Sequence, residues 1–183
     1  MTRNFFLTGP RHVGKSTILS AAIERVPGPA GGFRVERVFE GRRLRAFRLV
    51  DLMSGDSAEI ASARRGGWDV HVEAFEGVGV RSIRRALEAA RLVVMDELGR
   101  FELRAPGFRR AVMDALADPV PVVGVLKADS NPFLDAIRAR DDTTVAEVAA
   151  ETREVALHSL EAWIAQALSE TQAQVWRSLS SGP

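Results

Sequence analysis

The feature that most constrains the fold of this chain is a glycine-rich stretch at residues 7–17, which reads LTGPRHVGKST. It follows a short apolar run at residues 4–8 and precedes apolar positions that recur at helical spacing up to Val26. Two glycines with four residues between them, followed by Lys and Ser, match the phosphate-loop pattern, which requires a strand before it and a helix after it. The stretch therefore predicts a strand, a phosphate loop and a helix in direct succession.

The residue types in this loop suit the binding of a polyphosphate. Glycines let the backbone wrap tightly, so that successive N–H groups point at phosphate oxygens, and the following helix adds the positive end of its dipole. We expect Lys15 to reach the β- and γ-phosphates, Ser16 to place its hydroxyl on Mg²⁺ and Thr17 to contact the α-phosphate. His12 occupies a variable position of the pattern, and we assign it no separate role. The loop residues predicted to bind the nucleotide are Gly9, Pro10, Arg11, His12, Val13, Gly14, Lys15, Ser16 and Thr17.

The composition limits the other classes of protein and of site. The chain has 183 residues, 46% of them apolar, which is enough for one compact domain with a sizeable core. A formal net charge of +1 argues against a field that collects nucleic acid, and the longest apolar runs are far too short to cross a bilayer. The absence of cysteine excludes disulfides and thiolate sites, and the three histidines lack metal-ligand spacing. No removable presequence fits before the first strand, so we expect a cytoplasmic protein.

Only two of the 25 basic residues are lysines, Lys15 and Lys127. Because a compact ammonium and a planar guanidinium are not interchangeable, both lysines require a chemical explanation. Lys127 follows the apolar run 120–126, and ligands of α/β sheets bind at the carboxyl ends of strands. Two interpretations stay open: Lys127 senses the γ-phosphate, or it is a solvated residue at a strand end.

The rest of the chain alternates between strand-like and helix-like segments. Residues 33–39 and 44–50 predict a β-hairpin, and residues 53–67 are typical of a loop. Further strands are predicted at residues 4–8, 70–74, 92–95, 120–126 and 143–148, and helices at about 15–26, 80–91, 106–117, 132–140 and 152–168. Buried strands that alternate with helices predict an α/β fold, here the three-layer P-loop NTPase fold with a mostly parallel sheet and an added antiparallel β-hairpin.

We expect one domain followed by a short tail. No repeat, low-complexity tract or linker marks a second domain, so residues 1–168 are predicted to form a single P-loop NTPase domain. Residues 169–183 are predicted to be a C-terminal helical extension or frayed tail, with fraying expected from residue 178.

A second nucleotide-binding motif is predicted at residues 92–97, which read Leu-Val-Val-Met-Asp-Glu, a hydrophobic strand that ends in a carboxylate. Asp96 is expected to hold Mg²⁺ through water, opposite Ser16. Glu97 is expected to orient and deprotonate the water that attacks the γ-phosphorus. The alternative for Glu97 is a surface carboxylate in an enzyme whose attacking group is a substrate hydroxyl.

Other side chains near these motifs are weaker candidates. Arg100 and Arg104 could supply transition-state charge from within the chain, but for Arg104 a surface salt bridge to Glu102 or a nearby acid is favoured. The basic stripe at residues 81–85 is interpreted as a polar helix face. Trp68, in a glycine-flanked loop, could stack on a base.

Five segments resemble those of a known family, in the same order along the chain. They are the phosphate loop at 9–17, the hairpin at 32–50, Val-His-Val-Glu-Ala-Phe at 70–75, the segment 93–100 and Asn-Pro-Phe at 131–133. Together, from about residue 3 to about residue 165, they resemble the small nucleoside-triphosphatases that include the cancer-related nucleoside-triphosphatase. The resemblance implies a single-domain P-loop fold of the additional-catalytic-glutamate type. It also implies slow, Mg²⁺-dependent hydrolysis of several nucleoside triphosphates to diphosphate and phosphate.

The resemblance also implies site residues beyond the loop, and it has departures. The residues that would complete the nucleotide site are Asp96, Glu97, Gly99 and Arg100. Arg100 stands where the family usually has Lys, and Arg34 stands where an aromatic residue is common. Gly67 and Trp68 stand where a basic residue and Tyr are usual, which affects any side-chain contact from that region. The phosphate and Mg²⁺ machinery is intact.

The sequence thus predicts a Mg²⁺-dependent nucleoside-triphosphatase with low base selectivity, in which Lys15 and Glu97 are catalytic and Ser16 and Asp96 bind the metal. Nucleoside triphosphates are the expected partners, with no nucleic acid and no membrane, and the sequence does not identify a protein partner. Two alternatives stay open. One is a nucleoside or nucleotide kinase, for which the segment 133–142, with Arg138 and Arg140, is the candidate lid. The other is a nucleotide-gated binding module with little turnover.

Overall fold

A computed structural model describes the backbone of residues 2–180 and the side chains of residues 2–173. The strands are β1 (Asn4–Thr8), β2 (Ala30–Glu40), β3 (Arg43–Asp51), β4 (Ser57–Arg64), β5 (Gly67–Val70), β6 (Leu92–Leu98), β7 (Val122–Leu126) and β8 (Thr143–Glu147). The α-helices are α1 (Lys15–Ile23), α2 (Val72–Ala74), α3 (Val80–Ala89), α4 (Pro106–Ala117), α5 (Pro132–Arg138) and α6 (Arg153–Ser180). The strands form one mixed sheet in the order β5-β4-β3-β2-β6-β7-β1-β8.

The half of the sheet that contains β2, β6, β7, β1 and β8 is parallel. Its central strands are almost wholly buried, because helices cover both faces, as parallel sheets require. Along β1, Phe5 and Leu7 pack with α1 and α6 on one face, whereas Phe6 packs with α3 and α4 on the other. The two apolar clusters give the predicted three-layer α/β arrangement.

The other half of the sheet is antiparallel and larger than predicted. Strands β2 and β3 form the predicted hairpin, with Phe33 opposite Asp51. Strands β4 and β5 then add two further antiparallel pairings, so the addition is a four-stranded meander rather than a hairpin alone. Because β2 also pairs with β6, the meander continues directly from the parallel half.

Two of the segment predictions are wrong. Residues 53–67, predicted to be a loop, contain β4, whose Ile60 and Ala61 are buried where the strand pairs with β3. The predicted strand at 70–74 ends at Val70, and α2 then leads through a wide π-helical turn at Phe75–Gly79 into α3. In both cases the packing of neighbouring elements outweighs the local sequence pattern.

Helix α6 begins at Arg153, close to the predicted start, but runs to Ser180 rather than ending near residue 168. Residues 169–180 therefore continue the helix, in agreement with the predicted helical extension, although fraying was expected from residue 178. Residues 181–183 lie outside the described residues. Over the range that the structure describes, no helix combines the length and the apolar character needed to span a membrane.

Candidate active site

The phosphate loop connects β1 to α1, as predicted. Gly9 and Gly14, at its two ends, have φ values of +133° and +95°, which side chains rarely adopt. A Cβ built on Gly9 would lie 2.4 Å from the carbonyl oxygen of Val148, so the loop also needs glycine there for close packing. His12 has a φ of +63°, and its Nδ1 lies 3.4 Å from a guanidinium nitrogen of Arg37 on β2. The loop thus contacts the antiparallel half of the sheet.

The side chain of Lys15 folds back over this loop. Its Nζ donates hydrogen bonds to the carbonyl oxygens of Gly9 at 2.9 Å and Pro10 at 2.6 Å. Burial lowers the pKa of Lys15, whereas the carboxylates of Glu97 and Asp96 raise it. The ammonium group therefore lies within the electrostatic influence of the carboxylate pair near the carboxyl end of β6.

Ser16 and Asp96 join the phosphate loop to the end of β6. The Ser16 hydroxyl donates a hydrogen bond of 2.9 Å to Oδ1 of Asp96 across 80 positions of sequence. Asp96 is 8% exposed, and this burial raises its pKa to about 6, although the hydrogen bond from Ser16 lowers it. The two residues predicted to hold a metal are thus in direct contact, and one of them is a buried carboxylate.

Glu97 is paired with the second lysine. The Nζ of Lys127 lies 3.1 Å from Oε1 of Glu97, and both side chains are about three-quarters buried. Lys127 follows β7, which lies between β1 and β6, and its ammonium is 5.5 Å from the ring centre of Phe101 and 5.9 Å from that of Phe47. The interpretation of Lys127 as a solvated strand end is therefore wrong.

The turn after Glu97 contains a buried carboxylate that the sequence analysis missed. Glu102 is 3% exposed and accepts a hydrogen bond from the backbone N–H of Gly99. Burial raises the pKa of Glu102, against the hydrogen bond from Gly99. The carbonyl oxygen of Gly99 accepts a 3.2 Å hydrogen bond from Asn131, which also caps α5. These contacts fix the backbone beside Glu97. In the sequence, the only indication that Glu102 is buried is that its neighbours Phe101 and Leu103 are apolar.

A cleft of about 750 Å³ is lined by the phosphate loop, the carboxylate pair and Lys127. The predicted site residues that line it are Gly9, Pro10, Arg11, His12, Gly14, Lys15, Ser16, Thr17, Asp96, Glu97 and Arg100. Its far wall is aromatic: Phe47, Trp68 and Phe101 contact one another, with ring centres 4.8 to 6.0 Å apart. The sequence analysis did not predict that Phe47 and Arg37 line this cleft. The sequence of the hairpin does not show which of its faces lies towards the phosphate loop.

Several other candidates lie elsewhere. Val13 packs against the core beside α1 and does not line the cleft. Glu102 is buried and accepts a hydrogen bond from the backbone N–H of Gly99, so it does not form the favoured surface salt bridge with Arg104. Arg138 donates to the carbonyl oxygen of Lys127, and Arg140 is bonded to Asp142. The two arginines of the candidate kinase lid therefore have structural partners.

The basic stripe on α3 is also more than a polar face. Arg85 donates a 2.6 Å hydrogen bond to the buried carboxylate of Asp51, at the end of β3. Asp51 also accepts from the backbone N–H groups of Met53 and Ser54. Arg85 therefore ties α3 to the antiparallel half of the sheet, whereas Arg84 is exposed as expected.

The donor set suits a metal held by few protein atoms. Within residues 2–180, no group of three or more His, Cys, Asp or Glu side chains is placed to hold a metal ion. Ser16 and Asp96 offer a hydroxyl and a carboxylate, the oxygen ligands that Mg²⁺ takes in small number beside substrate phosphates. The buried carboxylate with one hydroxyl donor is a fit for such an ion.

Comparison with known proteins gives consistent results. A sequence model of the NTPase family matches residues 4–160. The nucleoside-triphosphatase THEP1 of Thermotoga maritima is 30% identical over 160 residues, covering 84% of this chain and 91% of that protein. The cancer-related nucleoside-triphosphatase homolog of Bos taurus is 33% identical over 174 residues, covering 84% of this chain and 92% of that protein.

A solved structure shows the same fold. The solution structure of a human cancer-related nucleoside triphosphatase superposes with a TM-score of 0.74 and 29% sequence identity, covering 88% of this chain and 97% of that chain. The matched range spans the phosphate loop and the strand that carries Asp96 and Glu97. This chain belongs to the NTPase family.

Proposed function

We propose that this protein is a Mg²⁺-dependent nucleoside-triphosphatase that releases phosphate and a nucleoside diphosphate, with Glu97 as the group that activates water. The observation that carries the proposal is the 2.9 Å hydrogen bond between Ser16 and Asp96. It brings the phosphate loop and the end of β6 together, with Glu97 as the next residue. The names of the relatives, which are nucleoside-triphosphatases, support the same reaction class.

The phosphate loop binds and orients the polyphosphate. Its backbone N–H groups and the start of α1 favour negative charge. The Lys15 ammonium now bonded to Gly9 and Pro10 would exchange these carbonyl oxygens for β- and γ-phosphate oxygens. A charged donor close to the scissile bond stabilises the charge that develops in the transition state.

Ser16 and Asp96 would hold the metal ion. When bound, Mg²⁺ neutralises charge on the β- and γ-phosphates. Asp96 supplies a negative charge in a buried position, where a cation offsets the cost of desolvating the carboxylate. The Ser16 hydroxyl already points towards that carboxylate.

Glu97 would accept the proton of the attacking water. The water oxygen forms a bond to the γ-phosphorus, the bond from that phosphorus to the bridging oxygen breaks, and Glu97 takes the proton. Asp96 contacts Ser16, whereas Glu97 contacts Lys127, so the two carboxylates would face the metal and the attack side separately. With this division of roles, the chain would belong to the additional-catalytic-glutamate type of P-loop fold.

The proposed contacts are all to phosphates, which every nucleoside triphosphate shares. We therefore infer low base selectivity. The formal net charge of +1 gives no support for nucleic-acid binding, and we propose free nucleotides in the cytoplasm as the substrates.

The proposal is tested by phosphate release from ATP, GTP, CTP and UTP, with Mg²⁺ or with EDTA. We expect release from all four with Mg²⁺ and none with EDTA, and Lys15→Ala and Ser16→Ala are expected to lose at least about 100-fold in rate. Arg84→Ala, on the exposed face of α3, serves as the matched control and should be unchanged. Phosphate that appears on an added nucleoside instead of in solution would show a kinase and overturn the proposal.

A further inference from the structure

The two lysines of the chain occupy the same cleft but contact different groups. Lys15 is bonded to carbonyl oxygens of its own loop. Lys127 is bonded to the carboxylate that the proposed function makes the proton acceptor, at 3.1 Å. The ammonium of Lys127 occupies a hydrogen-bonding position on Oε1 of Glu97 that water would otherwise use. The pair as it stands therefore restrains Glu97.

The backbone and the stem of Lys127 are held by neighbouring groups, and its ammonium group extends beyond them. The backbone N–H of Lys127 donates to the carbonyl oxygen of Leu98 at 2.9 Å, which ties the end of β7 to the end of β6. The stem lies against Gly99, where an added Cβ would be 2.7 Å from Cδ of the lysine. Beyond this point the ammonium lies beside the rings of Phe101 and Phe47, which favour a cation without bonding to it.

Lys127 also lies close to the position of the terminal phosphate. Both lysines line the same cleft, and Glu97, the partner of Lys127, directly follows Asp96, which is hydrogen-bonded to Ser16 beside Lys15. Lys15 of a phosphate loop reaches the β- and γ-phosphates. A γ-phosphate there carries more negative charge than the single carboxylate of Glu97 and would compete for Lys127.

We propose that Lys127 exchanges partners: it pairs with Glu97 until a nucleoside triphosphate binds, then moves to the γ-phosphate and frees Glu97 to accept a proton from water. A diphosphate does not present a γ-phosphate and leaves the pair intact. The inference rests on the proposed role of Glu97, and it adds a residue that discriminates triphosphate from diphosphate. It also gives a reason for the second lysine in a chain that otherwise uses arginine.

The presence of only two lysines allows a direct test by NMR. Protein labelled with ¹³C at lysine Cε should show two ε signals, and Lys127→Arg assigns them by removing one. With Mg²⁺ and a non-hydrolysable triphosphate analogue, both signals should shift. With Mg²⁺ and ADP, the Lys15 signal should shift and the Lys127 signal should stay.

A second comparison tests the exchange itself. Glu97→Gln should move the Lys127 signal in the free protein, where the pair exists, and should leave it nearly unchanged in the triphosphate complex. A Lys127 signal that responds equally to ADP and to the analogue would overturn the proposal. The same holds if Glu97→Gln shifts the signal equally in the free protein and in the complex, because the pair would then persist.

Binding measurements give an independent result. Lys127→Met keeps the stem and removes the charge, and Arg84→Met on α3 is the control. Measured by calorimetry, Lys127→Met should weaken binding of the triphosphate analogue by about 10- to 100-fold, as expected for the loss of a bond to a charged group. Binding of ADP should weaken by less than about threefold. Equal weakening of both nucleotides, or no weakening, would contradict the exchange.

These measurements involve no turnover, so they separate this proposal from the proposed function. If Glu97→Gln hydrolyses ATP normally while Lys127 responds only to the triphosphate, Lys127 remains the sensor and Glu97 is not the base. If Glu97→Gln is inactive while the Lys127 signal responds equally to the triphosphate analogue and to ADP, the hydrolase assignment stands and the exchange of partners is excluded.

Discussion

The parallel and antiparallel halves of the sheet are built on different principles. In the parallel half, β1 and β7 are covered on both faces, and the residues of the candidate site lie at or just after the carboxyl ends of β1, β6 and β7. In the antiparallel half, burial changes from residue to residue along β3 and β4, and one buried carboxylate, Asp51, is bonded to a helix. The parallel half thus carries the polar residues of the candidate site, and the antiparallel half forms part of the opposite wall of the cleft.

This difference explains how one cleft combines two kinds of surface. The phosphate loop and the carboxylate pair provide charge and hydrogen bonds, whereas Phe47, Trp68 and Phe101 provide an aromatic face opposite them. Strand β2 belongs to both halves, so Arg37 can approach His12 from the wall. Substitutions in the two halves should therefore differ in their effect on stability.

The largest difference is expected between two aromatic truncations. Phe6, which is fully buried on β1, should cost about 3–5 kcal/mol of unfolding free energy when replaced by alanine. Trp68, which is only partly buried on β5, should cost about 1–2 kcal/mol. Urea unfolding of Phe6→Ala and Trp68→Ala measures both values, and equal costs would remove the distinction between the halves.

The buried carboxylate of the site should make stability depend on pH. Because burial raises the pKa of Asp96 to about 6, the folded protein holds this proton more tightly than the unfolded chain does. The contribution is complete below about pH 4 and is lost as the pH rises through 6. Relative to Asp96→Asn, the protein should therefore lose up to about 3 kcal/mol of unfolding free energy between pH 4 and pH 7.

Chemical unfolding of both proteins in EDTA, at intervals of pH, measures this loss. A constant difference between the protein and Asp96→Asn would show that Asp96 is not stabilised in its protonated form. Added Mg²⁺ should reduce the loss at pH 7, because a bound cation favours the ionised carboxylate.

The ion pair between Arg85 and Asp51, which connects α3 to the antiparallel half, should contribute moderately to the unfolding free energy. Arg85→Ala leaves the buried carboxylate of Asp51 without its guanidinium partner, and we expect a cost of about 2 kcal/mol, since the arginine itself is partly exposed. Arg84→Ala, one position away and exposed, should change the unfolding free energy by less than about 0.5 kcal/mol. Indistinguishable thermal unfolding of the two variants would show that the stripe on α3 is a solvated face after all.

The smallest effect on the unfolding free energy is expected for Asp142, which precedes β8 at the outer edge of the parallel half. Hydrogen bonds from Arg140, and further from Arg3, lower the pKa of Asp142. Their stabilisation is present above the usual carboxylate pKa and is lost as the pH falls through the lowered value. Asp142→Asn should cost no more than about 1 kcal/mol at pH 7 and less in strong acid, measured by chemical unfolding. A cost that grows in acid would reverse the assigned sign.

The elements that the sequence predicted well are those whose signals are local. The strand β1, the loop that begins at Gly9 and the helix from Lys15 follow from apolar runs and glycine spacing within 20 residues. Asp96 was expected opposite Ser16 from the hydrophobic strand and carboxylate at residues 92–97, and the two side chains are hydrogen-bonded. The family resemblance is confirmed by the family match.

The features that sequence did not reveal depend on distant partners. Strand β4 reads Ser-Ala-Glu-Ile-Ala-Ser-Ala-Arg, whose small residues favour strands weakly, so only pairing with β3 specifies it. The Lys127–Glu97 pair joins residues 30 positions apart, and its geometry depends on β7 lying next to β6. Glu102 is a charged residue that the sequence places on the surface, and the turn at Gly99 buries it.

The central claim is that the site hydrolyses nucleoside triphosphates with Glu97 as the base. The most direct test is the single-turnover rate of phosphate release from Mg²⁺-ATP by Glu97→Gln, together with its affinity for the triphosphate. We predict a rate lower by about 10²- to 10⁴-fold with binding retained, because the phosphate loop and the Ser16–Asp96 pair are unchanged. A rate equal to that of the unsubstituted protein would contradict the claim and leave the attacking water to another group.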